Sequence, residues 1–326
     1  MKKIQIHKTG LEVSQIAYGC MLIGGGWNRE PLTEQTRKEA ISVLCAALDE
    51  GIDFFDHADI YCYGKSEEVF SALWQEVPGL RQKIVLQSKC GIRFPGDPDE
   101  SSPHRFDFSY AHITRSVEGI LQRLKTDYLD ILLLHRPDPL VEPEEVAQAF
   151  DELHQSGKVR FFGVSNHTPA QMDLLRRYLD QPLVANQLEI NVLHTHLLNE
   201  GIVFNQDRPT YPVRGEGTLE YCRLHDISVQ AWAPLAGGAV TGKVVEQPGE
   251  AQIKVKQLVD QLAKQKETSP EAILIAWLMR HPAKIQPIIG TTKPERVRAA
   301  CQASEVELSR EEWYRLFTAG RGAPLP

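Results

Sequence analysis

The chain has 326 residues, of which 36 are Lys or Arg and 43 are Asp or Glu, a formal net charge of −7. With 42% hydrophobic and 24% charged residues it has the proportions of an ordinary globular chain with a large core, which excludes a disordered or low-complexity protein. The acidic balance and the lack of any Lys/Arg cluster argue against a nucleic-acid partner. No window approaches the ~18 apolar residues of a membrane span, and six scattered cysteines without a CxxC pair read as reduced thiols in a cytoplasmic protein rather than as a metal site.

Taken in chain order, a hairpin near Ile4 to Val13 precedes eight short apolar runs: Gln15 to Gly19, Asp53 to Asp56, Ile84 to Lys89, Leu129 to His135, Phe161 to Ser165, Leu183 to Gln187, Ser228 to Trp232 and Gln286 to Gly290. Helical periodicity fills the intervals at Thr36 to Glu50, Glu67 to Trp74, Ala111 to Leu124, Glu144 to Ser156, Pro169 to Tyr178, Leu219 to His225, Pro270 to Met279 and Glu295 to Ala303. Ser109 and Thr168 suit N-caps, Pro294 a first helical turn, and Gly51 and Gly157 helix ends. Eight strands alternating with eight helices predict an α/β fold, a closed (β/α)8 TIM barrel with an N-terminal β-hairpin and long βα loops, in one domain over 1–326. A doubly wound sheet is the alternative, but Gly24-Gly25-Gly26 leads into a loop, without the helix of a dinucleotide fingerprint. Segments Arg93 to Arg105 and Asn199 to Gly217, rich in Pro, Gly, Asp and Ser, read as long binding loops.

Barrel chemistry lies at the carboxyl ends of the strands. There the second strand runs into Asp56 and Tyr61, the third ends at Lys89, and the fourth at His135. An acid, a phenol, an amine and an imidazole on three successive strands form a set for delivering a proton to a carbonyl oxygen. A phenol of pKa about 10 needs a nearby cation to act as an acid, and a buried carboxylate can hold that cation. Ser165-Asn166, Gln187 and Trp232 close the next three strands.

The segments GIDFFDHADIYCYGKSE, DYLDILLLH, GKVRFFGVSN and AWAPLAGGAVTGK, with TGLEVSQIAYG and IIGTTKPERV at the two ends, resemble the characteristic segments of the aldo-keto reductase family over nearly the whole chain. The resemblance implies reduction of an aldehyde or ketone to an alcohol. Hydride comes from a nicotinamide cofactor, NADPH rather than NADH, and the proton from Tyr61. Lys89 and Asp56 lower the Tyr61 pKa, and His135 orients the carbonyl. It also implies that Ser165, Asn166 and Gln187 hold the carboxamide and that Trp232 stacks on the nicotinamide. Ala233, Pro234, Leu235, Gly237 and Lys243 form the loop over the pyrophosphate, while Gly290, Thr292, Lys293 and Arg296 bind phosphate. No metal is implied.

Five positions depart from the family pattern: His57 stands where Thr is usual, Cys62 follows the tyrosine where Gly is common, Ala233 replaces a frequent Ser, and two alanines follow in the last helix. Ala299 and Ala300 stand where an acidic residue and Asn contact adenine. Trp27, Tyr63 and Phe94 are candidates to line a pocket for a small carbonyl substrate, apolar or aromatic. Cys62 and Cys90 adjoin site residues. Two other readings use the same residues: a slow NADP(H)-binding sensor, since the loop pattern also resembles potassium-channel β subunits, and a metal-dependent barrel hydrolase built on His57, His135, His167, His194 and His196.

Overall fold

In the computed structural model, residues 1–203, 216–242 and 245–326 are described. Strands β1 (Lys3–Ile6) and β2 (Leu11–Ser14) pair antiparallel as the expected hairpin. Strand β3 (Ala17–Gly19) opens a closed parallel barrel that continues through β4 (Phe54–Asp56) and β5 (Val85–Cys90). Strands β6 (Ile92–Arg93) and β7 (Arg105–Phe106) form a small antiparallel ladder outside it. The barrel resumes with β8 (Leu129–Leu134), β9 (Val159–Ser165), β10 (Leu183–Glu189), β11 (Ser228–Trp232) and β12 (Gln286–Ile289), and β12 pairs with β3 to close it. All eight anticipated barrel strands are present within two residues of their expected bounds.

The helices form for local reasons. Tyr110–Leu124 buries Ile113, Val117, Ile120, Leu121 and Leu124, a 3.6-residue stripe against the barrel, and the Ser109 hydroxyl caps it by accepting from the His112 N–H. Thr168 and Gln171 make a reciprocal capping box on Pro169–Arg176. Two expectations are corrected. The segment from Asn199 is not loop at its start, since His196–Val203 is helical; its continuation over 204–215 lies outside the described residues. The loop from Arg93 to Arg105 is pinched by the β6–β7 ladder.

Helices Glu250–Gln265 and Arg310–Arg321 exceed the expected eight. The second is tied down by Trp313, whose indole stacks on Trp277 at 5.4 Å. Each Nε1 donates to the other's carbonyl, at 3.1 and 3.0 Å. Gly320 in that helix lies so close to Val192 that a Cβ would sit 1.7 Å from its carbonyl oxygen, so no other residue fits.

Inside the barrel, Ile6 and Val13 of the hairpin pack with Ala17, Phe54, Ile131, Leu133, Val184 and Ile288, plugging the amino-terminal mouth with apolar side chains. The opposite mouth carries the polar groups. Among the described residues no helix is long and apolar enough to cross a membrane.

Several histidines are buried in neutral form. Burial, then Lys89, pushes His57 down to about 3, and burial holds His112 and His167 at about 4. An unfolded chain takes up these protons below about 6.5, whereas the folded chain refuses them until about 4 or lower. Stability is therefore lost as pH falls through that window. By linkage each such histidine costs about 2 kcal/mol at pH 5 relative to pH 7.5. Urea midpoints at the two pH values measure this, and equal midpoints would contradict it. His57 also leaves both ring nitrogens without a partner, with its ring edge-on to Phe70 at 4.7 Å.

Candidate active site

The turn Tyr61–Gly64 after β4 sets the position of Tyr61. Cys62 and Tyr63 both adopt left-handed backbone, φ 49° and 58°, and Gly64 follows at φ 86°, where a Cβ would meet the Arg123 side chain at 2.8 Å. Left-handed φ at Cys62 explains why Gly serves there in the resembling family. The thiol lies 3.2 Å from the carbonyls of Met21 and Gly25, between which its single S–H is shared. The glycine run serves the same turn: a Cβ on Gly24 would lie 2.6 Å from the Ser66 nitrogen. These glycines allow close packing of two loops, not a phosphate cradle.

Three of the four predicted catalytic residues form a continuous hydrogen-bonded chain, buried at Asp56 and Lys89 and partly exposed at Tyr61. Lys89, fully buried on β5, donates from Nζ to Asp56 Oδ2 at 2.7 Å, to the His57 carbonyl at 2.8 Å and to Tyr61 Oη at 3.1 Å. Three N–H groups thus meet three acceptors. His57 contributes its carbonyl rather than its ring, which is why Thr or His can occupy the position. Burial favours a neutral amine, yet the charges and hydrogen bonds of Asp56 and Tyr61 together prevail and raise the Lys89 pKa. His135 stands edge-on to Tyr61 with centroids 6.0 Å apart. Burial, then Lys89 and Arg136, holds its pKa well below the usual value, so the imidazole is neutral.

One expectation about Tyr61 is corrected. Its pKa is raised, not lowered: burial dominates, Lys89 pulls it down, and Asp56 pushes it up. Only Lys89 acts in the anticipated direction, and Asp56 contributes by holding Lys89 charged and in place. The phenol is therefore fully protonated across the neutral range.

Beside this chain, the Asn166 amide donates to Ser165 Oγ at 2.8 Å and accepts from Trp232 Nε1 at 3.1 Å. Asn166 and Ala233 have left-handed φ of 62° and 50°. Gln187 sends its amide N–H groups inward, to Asp56 Oδ1 at 3.0 Å and Gln230 Oε1 at 3.2 Å. After Pro234, Leu235 caps a short 3-10 turn over Ala236–Gly238 that contains Gly237. At its far end Gly242 (φ 119°) faces the Arg296 guanidinium, 3.7 Å from where a Cβ would stand. Arg296 lies in the first turn of helix Pro294–Cys301, just after Gly290, Thr292 and Lys293, so this segment and the one ending at Gly242 lie side by side. Lys243 lies outside the described residues.

Trp27 meets Tyr61, Tyr63 and Phe94 edge-on at centroid distances of 6.5, 6.3 and 6.2 Å. The three candidate lining residues thus form one cluster, which reaches Tyr61 through Trp27. Cys90 is fully buried and its thiol is pushed well up, by burial first and by Asp59, which makes it a packed rather than reactive group. Among the described residues no group of three or more His, Cys, Asp or Glu could hold a metal ion. His57 and His167 pack on Phe70 and Phe108 instead.

Some site residues escaped sequence reasoning. Arg136, which follows His135, places its guanidinium 5.5 Å from the Trp232 ring centroid. Gln87, Gln230 and Gln286 line the barrel interior, fully buried. Their signal was present: VLQSK, SVQAW and IQPII each carry a glutamine inside an apolar strand, and a buried amide there needs a partner.

Comparison with known proteins bears on the chain as a whole. The profile of the Aldo/keto reductase family matches residues 15–319. The chain is 37% identical to the Bacillus subtilis oxidoreductase YcsN over the full length of both. It is 36% identical to a 6-dehydroglucose reductase of Agrobacterium fabrum, over 96% of each. The solved structure of a glycerol dehydrogenase from Gluconobacter oxydans superposes with a TM-score of 0.79 at 26% identity, covering 99% of this chain and 97% of that one.

Proposed function

The chain belongs to the aldo/keto reductase family, a nicotinamide-dependent oxidoreductase acting on carbonyl compounds, and on that premise we propose that it is an NADPH-dependent reductase whose proton donor is Tyr61. The observation that carries this reading is the Asp56–Lys89–Tyr61 chain. We take residues 1–326 to act as one such unit.

The residues around Trp232 fit the cofactor. Asn166 is oriented by the indole, and Gln187, with its N–H groups engaged inward, has its oxygen left to accept from a carboxamide. When bound, the nicotinamide supplies hydride to the carbonyl carbon. Tyr61 gives its proton to the carbonyl oxygen, and neutral His135 donates to the same oxygen and aims it. The Lys89 ammonium stabilises the negative charge that gathers on Tyr61 as the proton leaves. Trp27, whose ring meets Tyr61 edge-on, lies beside this corner, half-exposed and open to contact with a substrate. Because Tyr61 holds its proton through neutral pH, reduction is level there, and the reverse oxidation, which needs the phenolate, rises in alkali.

Preference for NADPH rests on Arg296 beside Gly242, with Lys293 one turn away, as the partners of a 2′-phosphate. One charge-assisted contact of this kind is worth roughly 1.5–3 kcal/mol, so Arg296→Ala should raise the KM for NADPH about tenfold or more. The KM for NADH should stay within about twofold of wild type by the same reasoning. Equal changes for both would sink the assignment.

The relative named for 6-dehydroglucose makes hydroxylated aldehydes the first substrates to try, beside the aromatic aldehydes that the lining suits. The test is NADPH oxidation with that panel. Tight NADPH binding with no turnover on any aldehyde would favour the sensor reading instead.

A further inference from the structure

Below the catalytic carboxylate the barrel interior holds a ladder of buried amides. Asp56 Oδ1 accepts from Gln87 Nε2 at 2.6 Å and from Gln187 Nε2 at 3.0 Å. Each of those NH2 groups has a second hydrogen, and both go to one acceptor, Gln230 Oε1, at 2.8 and 3.2 Å. Gln230 in turn donates to Gln87 Oε1 and to Gln286 Oε1, each at 3.2 Å. Gln286 donates to the Ser14 carbonyl on the hairpin at 2.9 Å. Asp56 and all four glutamines are at most 2% exposed, so no water can substitute for a lost partner.

A glutamine amide has two ends of nearly equal shape and opposite polarity. Against a carboxylate, one orientation presents N–H and attracts, and the other presents oxygen and repels. For Gln87 and Gln187 the choice is made by Gln230, whose oxygen rewards the N–H-forward orientation in both at once. Gln230's own orientation is fixed from below, where Gln286 is anchored to a backbone carbonyl that cannot flip.

We propose that Gln230 is a positioning residue for the catalytic carboxylate: it holds the amides of Gln87 and Gln187 with their N–H groups toward Asp56, engaging Oδ1 and leaving Oδ2 to Lys89. It touches neither Asp56 nor any reacting atom. The inference rests on the proposed roles of Asp56, Lys89 and Tyr61. The charged or titratable groups that face Asp56 are Lys89 from β5, Tyr61 from the turn after β4, and Cys20 just after β3. Of the other neighbours, Gln87 and Gln187 carry no charge, so loss of the ladder alters the carboxylate through hydrogen bonding alone.

The experiment is the pH dependence of aldehyde reduction in Gln230→Met and Gln286→Met, with thermal midpoints measured alongside. In Gln230→Met the pH below which reduction falls off should move up by about one unit, and kcat should drop roughly tenfold, the equivalent of one charge-assisted hydrogen bond. KM for NADPH should rise by a smaller factor than kcat falls, because Gln187 alone of the proposed carboxamide contacts bonds to Gln230. Gln286→Met, one rung lower, should give a smaller movement in the same direction. A residue that only filled the core would lower the thermal midpoint and leave the acid limb where it is. That result in Gln230→Met overturns the proposal. If Gln230→Met does not fold, the acid limb of Gln286→Met decides, and an unmoved limb overturns the proposal there too. Tyr61→Phe measured in parallel separates the two layers: turnover retained in it removes the catalytic reading itself, whereas turnover lost in it with unmoved glutamine variants removes the ladder alone.

Discussion

Replacing Tyr61 by Phe is expected to reduce carbonyl turnover by roughly 10³-fold, within the range that a positioned general acid contributes, while NADPH quenches tryptophan fluorescence at unchanged concentration. The substitution removes only the hydroxyl. The ring keeps its edge contacts with Trp27 and His135, and the left-handed turn that carries it is built by Cys62, Tyr63 and Gly64, not by the phenol. Cofactor contacts are proposed on Asn166, Gln187 and Trp232, whose hydrogen bonds do not run through the lost oxygen. Turnover near the wild-type rate would mean that the proton comes from elsewhere, and weakened NADPH binding would mean that Tyr61 also shapes the cofactor site.

Lys89→Met carries the second-largest effect, on activity and stability together. It strips Tyr61 of the group that draws its pKa down, so proton release becomes harder, and kcat for reduction should fall by about 10²-fold or more. The alkaline rise of the oxidation rate should shift to higher pH, because the phenolate forms later. It also leaves Asp56 as a buried carboxylate without its cation, and breaking such a pair by removing one partner costs about 3–5 kcal/mol. The Lys89 pKa is raised in the fold. The stability it contributes is thus complete below its unfolded value near 10.5 and is lost only as pH climbs beyond that, so the loss in the variant should be level from pH 6 to 9. Adding Asp56→Asn to Lys89→Met should recover part of the stability and none of the activity. A double variant no more stable than the single one would show that the buried charge is not what Lys89 balances.

The barrel was legible because its strands are buried on both faces and therefore appear as unbroken apolar runs, with helix caps such as Ser109 and Thr168 marking what lies between. The reactive residues were legible for a related reason: an ionisable group at the end of an apolar strand has nowhere to point but the mouth. Helices Glu250–Gln265 and Arg310–Arg321 were missed because the eightfold rhythm was already filled without them. The first also starts from Gly249, which supplies no capping side chain. The direction of the Tyr61 pKa was misjudged for want of depth. A sequence shows the cation beside the phenol but not how much water the phenol loses, and here the lost water outweighs the cation. The glutamine ladder lay in plain view as four polar residues in apolar strands. What could not be read was that they meet one another, since Gln87 and Gln230 are 143 residues apart.

The barrel closes where β12 pairs with β3, a seam that the Tyr18 hydroxyl reinforces by donating to the Thr291 carbonyl across 273 residues of chain. During synthesis every group proposed to act on the carbonyl leaves the ribosome well before the strand that seals the seam. A nascent chain lacking that last strand holds two unpaired strand edges apart, each open to pairing with a neighbour. Its hairpin plug has nothing complete to seal. Chaperone dependence of this protein should therefore be greatest for chains ending just before Gln286 and fall sharply once Ile289 is free to dock.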